Sequence, residues 1–242
     1  MPDPTLGLVL VLGTAVLVGA VVQASVGFGI VVVAAPFVIW LAPELMPGSM
    51  LVCGFVMPML QLRGTWRDVD WVSLRAALAG RLLLTPVGVW VVAVSSTRLI
   101  AFLVGLLVLA VALASAYAPA FEPRPRNLFV AGMLTGVSGT AAAVGGPFVA
   151  MTLQHDEPAR IRATLAGFFT FGSAVSLAAL AYAGELPPEQ LWWGAAFVPF
   201  LVVGYVLAGP VVRRLDQGRL RTAMLWFCVV AAVSIMLRAA LG

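Results

Sequence analysis

Apolar residues fill this chain in long blocks, broken by short clusters of proline, glycine and charged residues. Ten apolar segments follow, at Leu6–Ala24, Ile30–Leu41, Met50–Leu62, Trp71–Val94, Leu99–Tyr117, Leu128–Val137, Ala141–Leu153, Ala163–Ala183, Leu191–Val212 and Leu220–Leu237. A helix needs about 20 residues to cross roughly 30 Å of hydrocarbon at about 1.5 Å per residue. Ile30–Leu41, Leu128–Val137 and Ala141–Leu153 are too short for that and read as half-helices. Met50–Leu62 must run on through Arg63 to cross, with Pro58 placed to kink it. The pattern predicts an all-α polytopic membrane protein forming a single transmembrane domain over 1–242.

The pattern is also repeated. "APAFEPRPRN", residues 118–127, is the one evident linker, and it separates a first repeat, 5–117, from a second, 128–242. A shift of 111 residues lays Pro36-Phe37-Val38 on Pro147-Phe148-Val149. A shift of 113 lays Gly54-Phe55 on Gly167-Phe168, and one of 121 lays Trp71 on Trp192 and Arg98-Leu99 on Arg219-Leu220. Order is kept and the offset grows smoothly, as in an internal duplication.

Composition removes other classes. Of 242 residues 62% are hydrophobic and 10% charged, with mean hydropathy +1.07, against about 25% charged in soluble domains. The net charge of +4 comes from fourteen basic residues, all arginine, and excess arginine in a membrane protein marks cytoplasmic loops. No basic run with interleaved aromatics points to nucleic acid. An acidic start, "MPDP", argues against a cleaved signal. Cys53 and Cys228 sit singly in apolar segments, so neither a disulfide framework nor a metal site is expected, and no cofactor is.

Arginine placement sets the relation between the halves. "APELMPGS" has no arginine where its counterpart "QHDEPARIR" has Arg160 and Arg162; "RGTWRDVD" has Arg63 and Arg67 where "GELPPEQ" has none; "SSTR" stands against "RRLDQGRLR". Ten of the fourteen arginines then fall on one side if the halves are inverted. The expectation is two inverted-topology repeats, each with a broken or re-entrant helix pair plus three spanning helices. They would lie in a bacterial cytoplasmic membrane with the N-terminus outside.

In that plan the site lies near the bilayer midplane, where the broken helices meet. Gly27 and Gly29 in one half, and Gly139, Gly145 and Gly146 in the other, permit a sharp turn and close helix approach. Gly132, Gly136 and Thr140, at fourfold spacing, form a narrow ridge for another helix. A helix that begins inside the membrane points unpaired amides and its positive dipole end at its surroundings, which suits an anion. The expected helix starts are Phe28–Ile30 and Gly139–Ala141, with Gln23, Ser25, Ser138 and Thr140 as side-chain donors. Simple tight packing of glycines is the competing reading.

The segments "QASVGFGIVVVAAPFV" and "GMLTGVSGTAAAVGGPFV", with "RIRATLAGFF" after the second, resemble the sulfite exporter TauE/SafE family of membrane proteins over essentially the whole chain. The first repeat departs from the family's richer glycine run with "GFGIVVV". The resemblance implies transport, often outward, of small sulfur-containing anions such as sulfite or organosulfonates.

Other residues complete the candidate set. Arg81 lies ten residues beyond Trp71, about 15 Å along a helix, where a charge costs at least roughly 2.5 kcal/mol unless it faces water or a partner. It lines a pathway or snorkels. Arg63 is a second anion-binding candidate, weighed against a topological role. Thr170, Ser173 and Ser176 share a helix face and either line the cavity or bond their own backbone. His155 reads as a loop residue in "QHDEP", and Trp66, Trp71, Trp192 and Trp193 as interfacial anchors. No carboxylate lies at a segment centre, which argues against a proton relay of aspartates; a coupling ion, H+ or Na+, and a homodimer stay open. The leading reading is a secondary transporter working by alternating access. An anion channel on the same scaffold, a carrier of a non-sulfur organic anion and a membrane-embedded enzyme or assembly factor are the rivals, and no catalytic constellation supports an enzyme.

Overall fold

The computed structural model describes residues 6–26, 29–117, 124–153, 156–212, 226 and 229–236. Among them the regular structure is helical, with no strand: α1 Leu6–Val26, α2 Ile30–Leu41, α3 Gly48–Thr65, α4 Trp71–Val94, α5 Thr97–Tyr117, α6 Pro125–Ala141, α7 Gly146–Leu153, α8 Pro158–Tyr182 and α9 Pro188–Val212. Residues 229–236 are also helical. Four stretches of the described residues are long and apolar enough to cross a membrane: Leu6–Ser25, Trp71–Val94, Pro158–Tyr182 and Pro188–Gly209. The protein is thus an all-α polytopic membrane protein.

Several boundaries differ from the sequence pattern. Met50–Leu62 extends at both ends into the 18-residue α3, because a helix carries its polar end residues into the interface without losing backbone bonds. Leu128–Val137 becomes the 17-residue α6, which starts at Pro125 inside the expected linker. Proline suits a first helical position, where its missing N–H would have no partner. Of that linker, 118–123 lie outside the described residues, as do Cys228 and His155.

The helices pair across the two halves of the chain. α4 lies most extensively on α6, α1 on α9, and α3 on α8; α3 also meets α9, and α4 meets α8. In α4–α6 the backbones nearly touch. A Cβ on Gly132 would strike the Ala77 carbonyl, and one on Gly80 the Phe129 carbonyl. The small ridge on α6 is therefore where α4 sits, and the gain is van der Waals contact that lipid cannot supply to a bulky pair. At α1–α9 a Cβ on Gly204 would come 2.5 Å from the Leu17 carbonyl.

Polar staples tie the halves at two places. Buried Gln190 on α9 accepts from the Gly48 amide at 2.8 Å and donates to the carbonyls of Glu44 and Met46 at 2.8 and 2.9 Å. It thereby holds the start of α3. Asp70 caps α4 by accepting from the amides of Val72 and Ser73 at 3.0 and 3.2 Å, and its own amide donates to the Thr164 hydroxyl of α8 at 3.0 Å.

Tryptophan placement follows helix geometry. Trp66, Trp71 and Trp192 are exposed, whereas Trp193 is buried against Phe197, with ring centroids 5.8 Å apart. Neighbours on a helix point about 100° apart, so Trp192 and Trp193 do not both face the lipid.

Candidate functional site

The short helices start from breaks of different construction. α2 begins at Ile30 behind Gly29, whose φ of 137° is open to glycine and strained for an L side chain. The second break differs from the expectation at Gly139–Ala141. α6 continues through those residues, and the chain turns at Ala142–Gly145 before α7 starts at Gly146. The physical reason is packing: α4 covers the glycine face of α6, so those glycines support a continuous helix. The Ala142 amide closes the last turn on the Ser138 carbonyl at 2.9 Å, and Ala143 supplies the left-handed residue at φ 56°.

Both breaks border one cavity of about 40 Å³. Gln23, Gly29 and Arg81 line it, together with Gly139, Gly145, Gly146 and Ser173 from the second half. Among the described residues no aspartate or glutamate lines it.

Arg81 dominates its electrostatics. The residue is 2% exposed, and its guanidinium lies 5.2 Å from the centre of the Phe168 ring. Nη2 donates to the Ser176 hydroxyl at 3.3 Å, while Nε is buried without a partner. A Cβ on Gly172 would overlap the guanidinium, and one on Gly139 would come 3.3 Å from Nη2. Two glycines thus make the space in which this charge sits. Among the described residues the groups around it accept a hydrogen bond, as Ser176 does, or stack, as Phe168 does, and none supplies a counter-charge. A buried cation in that condition is strongly disfavoured unless an anion or water joins it.

The other donors are arranged around the α2 start. Gln23, 3% exposed, accepts from the Ile30 amide at 3.1 Å through Oε1, which leaves Nε2 as the donor end of its carboxamide. Val31 and Val32 are first-turn residues of α2 on the cavity wall, at positions whose amides have no partner within a helix. Gly146 begins α7 on the same wall.

Most of the remaining candidates lie off this wall. Arg63 is exposed near the end of α3 and does not approach the cavity. The hydroxyls of Ser25 and Thr170 bond back to Val21 and Ala166 in their own helices. Thr140 bonds to Ser176 at 2.9 Å, behind Arg81. Ser138 is buried with its hydroxyl unpartnered but does not reach the wall. Ser173, on the wall, donates to the Gly54 carbonyl at 3.1 Å. Gly27 and Phe28 lie outside the described residues.

Sequence reasoning did not single out Phe168 and Gly172 for the site, although they shape the arginine's seat, and it left Ser176 open between lining the cavity and bonding its own backbone. Their spacing carries the only available signal: Phe168, Gly172 and Ser176 recur every fourth residue on α8 and so share one face. Comparison with known proteins gives one match: the family model described as Sulfite exporter TauE/SafE fits residues 11–235. No curated protein and no solved structure matches the chain.

Proposed function

The chain belongs to the sulfite exporter TauE/SafE family, and from that premise we propose that it carries a small sulfur-containing anion, sulfite or a short organosulfonate, outward across a bacterial cytoplasmic membrane. One observation carries the reading: Arg81, buried in α4 with no acidic partner among the described residues, lines a cavity that is also walled by the first residues of α2 and α7. The occupant that answers both a bare guanidinium and helix N-termini is an oxyanion. Gln23 Nε2 and the α2 amides would hold its remaining oxygens.

Movement of that anion would proceed by alternating access between inverted halves, 5–117 and 128–242, joined by 118–127. The pairings are consistent with a two-fold exchange of the halves. Swapping α1 for α6, α3 for α8 and α4 for α9 turns the α1–α9 contact into α6–α4, turns α3–α9 into α8–α4, and returns α3–α8 to itself. The arginine asymmetry of matched loops supports opposite orientation, with the N-terminus outside.

Reconstitution in liposomes tests the transport reading. Saturable sulfite flux, accelerated by sulfite on the opposite side, is the expected result. Flux that never saturates and shows no exchange would replace the transporter with an anion channel.

A further inference from the structure

α3 is held to the second half of the chain at both of its ends. At its start Gln190 of α9 accepts from the Gly48 amide and donates to the carbonyls of Glu44 and Met46. Just beyond its far end the Asp70 amide donates to the Thr164 hydroxyl of α8. The 18 residues of α3 put roughly 27 Å between these points, so they lie toward opposite faces of the membrane.

The anion cavity is closer to one of them. Met50 and Leu51 line it, and both belong to the first turn of α3, which begins at Gly48. Toward the other end, Arg81 stands about 16 Å along α4 from Asp70, and Leu74, Ala77 and Phe168 belong to a buried apolar cluster on that side. The seal at the Gln190 end is therefore the thin one. It is shut: Ala42, Leu45, Met46 and Met50 are buried, as is Gln190 itself. A Cβ on Gly48 would overlap Gln190 Oε1 and Leu186, so glycine lets the carboxamide close directly on the helix start.

All three bonds of Gln190 cross from the second half to residues 44–48 of the first, and parting the halves at this face breaks them together. Water admitted by the opening would take up the freed groups, so the contact holds the seal without making its release prohibitive. We propose that Gln190 is the latch of a gate: its release lets the first turn of α3, with Met50 and Leu51, leave the cavity wall. The inference rests on the reading of transport by alternating access, and the arginine-free loop at 42–49 makes this the outward gate. Gln190 does not line the cavity, so its role is that of a positioning residue.

Leu51→Cys, in protein carrying Cys53→Ala and Cys228→Ala, reports the gate in nanodiscs through its rate of reaction with a water-soluble methanethiosulfonate. Leu74→Cys, in the opposite seal, is the control. Gln190→Ala should raise the rate at Leu51→Cys at least about fivefold, the change in open fraction that loss of ~1 kcal/mol produces, and leave that at Leu74→Cys unchanged. Gly48→Ala displaces the carboxamide from the other side and should do the same, so the comparison stands if one variant does not fold. Rates at Leu51→Cys that neither variant changes overturn the proposal, as do rates that rise equally at both reporters, the sign of general loosening. Unchanged labelling beside saturable sulfite flux removes the latch alone. Labelling raised only at Leu51→Cys, in a protein that moves no sulfite, keeps the latch and removes the transport reading.

Discussion

Replacing Arg81 with methionine separates an arginine kept for a ligand from one kept for the fold. At the centre of a membrane helix the charge costs about 2.5–3.5 kcal/mol. Against this stand one hydrogen bond to Ser176, worth roughly 1.5–3 kcal/mol for a charged donor, and the stacking on Phe168, worth roughly 0.5–2 kcal/mol. These terms nearly cancel, and methionine retains most of the apolar stem. The ligand-free variant should therefore unfold within about 2 kcal/mol of the unmodified protein, whereas breaking a satisfied buried ion pair costs about 3–5 kcal/mol. Anion binding behaves differently. Loss of a charge-assisted contact weakens it by the same roughly 1.5–3 kcal/mol, about 10- to 150-fold. Equilibrium unfolding with and without sulfite reads both quantities. At a sulfite concentration near 100 times its Kd the unmodified protein gains about 2.7 kcal/mol, and Arg81→Met should gain under about 1.5 kcal/mol. A variant that loses 3–5 kcal/mol without sulfite yet keeps the full sulfite-induced gain would refute the reasoning.

Other parts of the fold give further expectations. Gln190→Ala removes three hydrogen bonds at the α3 start and strands the Gly48 amide, so unfolding free energy should fall by about 2–4 kcal/mol; a loss under 0.5 kcal/mol would show the staple to be incidental. Ala143→Gly relieves the left-handed residue at φ 56° and should raise stability by up to about 1 kcal/mol, seen as a higher thermal midpoint. At Asp70 burial raises the carboxyl pKa, but the hydroxyl and amide of Ser73, the Val72 amide and nearby Arg160 outweigh it and hold it below 3.8. Its contribution is thus complete above the unfolded value and lost as pH falls through the lower folded one. Asp70→Asn should accordingly show a smaller drop in thermal midpoint between pH 5 and pH 3 than the unmodified protein.

What could be read in the sequence follows from what is local. The α2 segment, Ile30–Leu41, appears at its expected bounds because glycine stands before it and proline after it, and both act through the backbone alone. The depth of Arg81 also followed from counting along one helix. The second break was misplaced because Gly136 and Gly139 have two uses, turning a chain and admitting a neighbour, and only the position of α4 decides between them. The residue that turns the chain, Ala143, carries no turn signature. Trp193 was misread for a related reason: hydropathy marks a segment end but not which side of the helix faces protein. The seat of Arg81 on Phe168, Gly172 and Ser176 depends on how α8 crosses α4, which no single helix encodes.

Selenite, a heavier oxyanion of the same shape class as sulfite, gives the most direct test through its anomalous scattering in crystals of the protein. A selenium peak between the Arg81 guanidinium and the Gly29–Val32 end of α2, absent in Arg81→Met, is the result expected. A protein that transports sulfite while its selenium peak lies elsewhere, or persists without the arginine, would contradict the account.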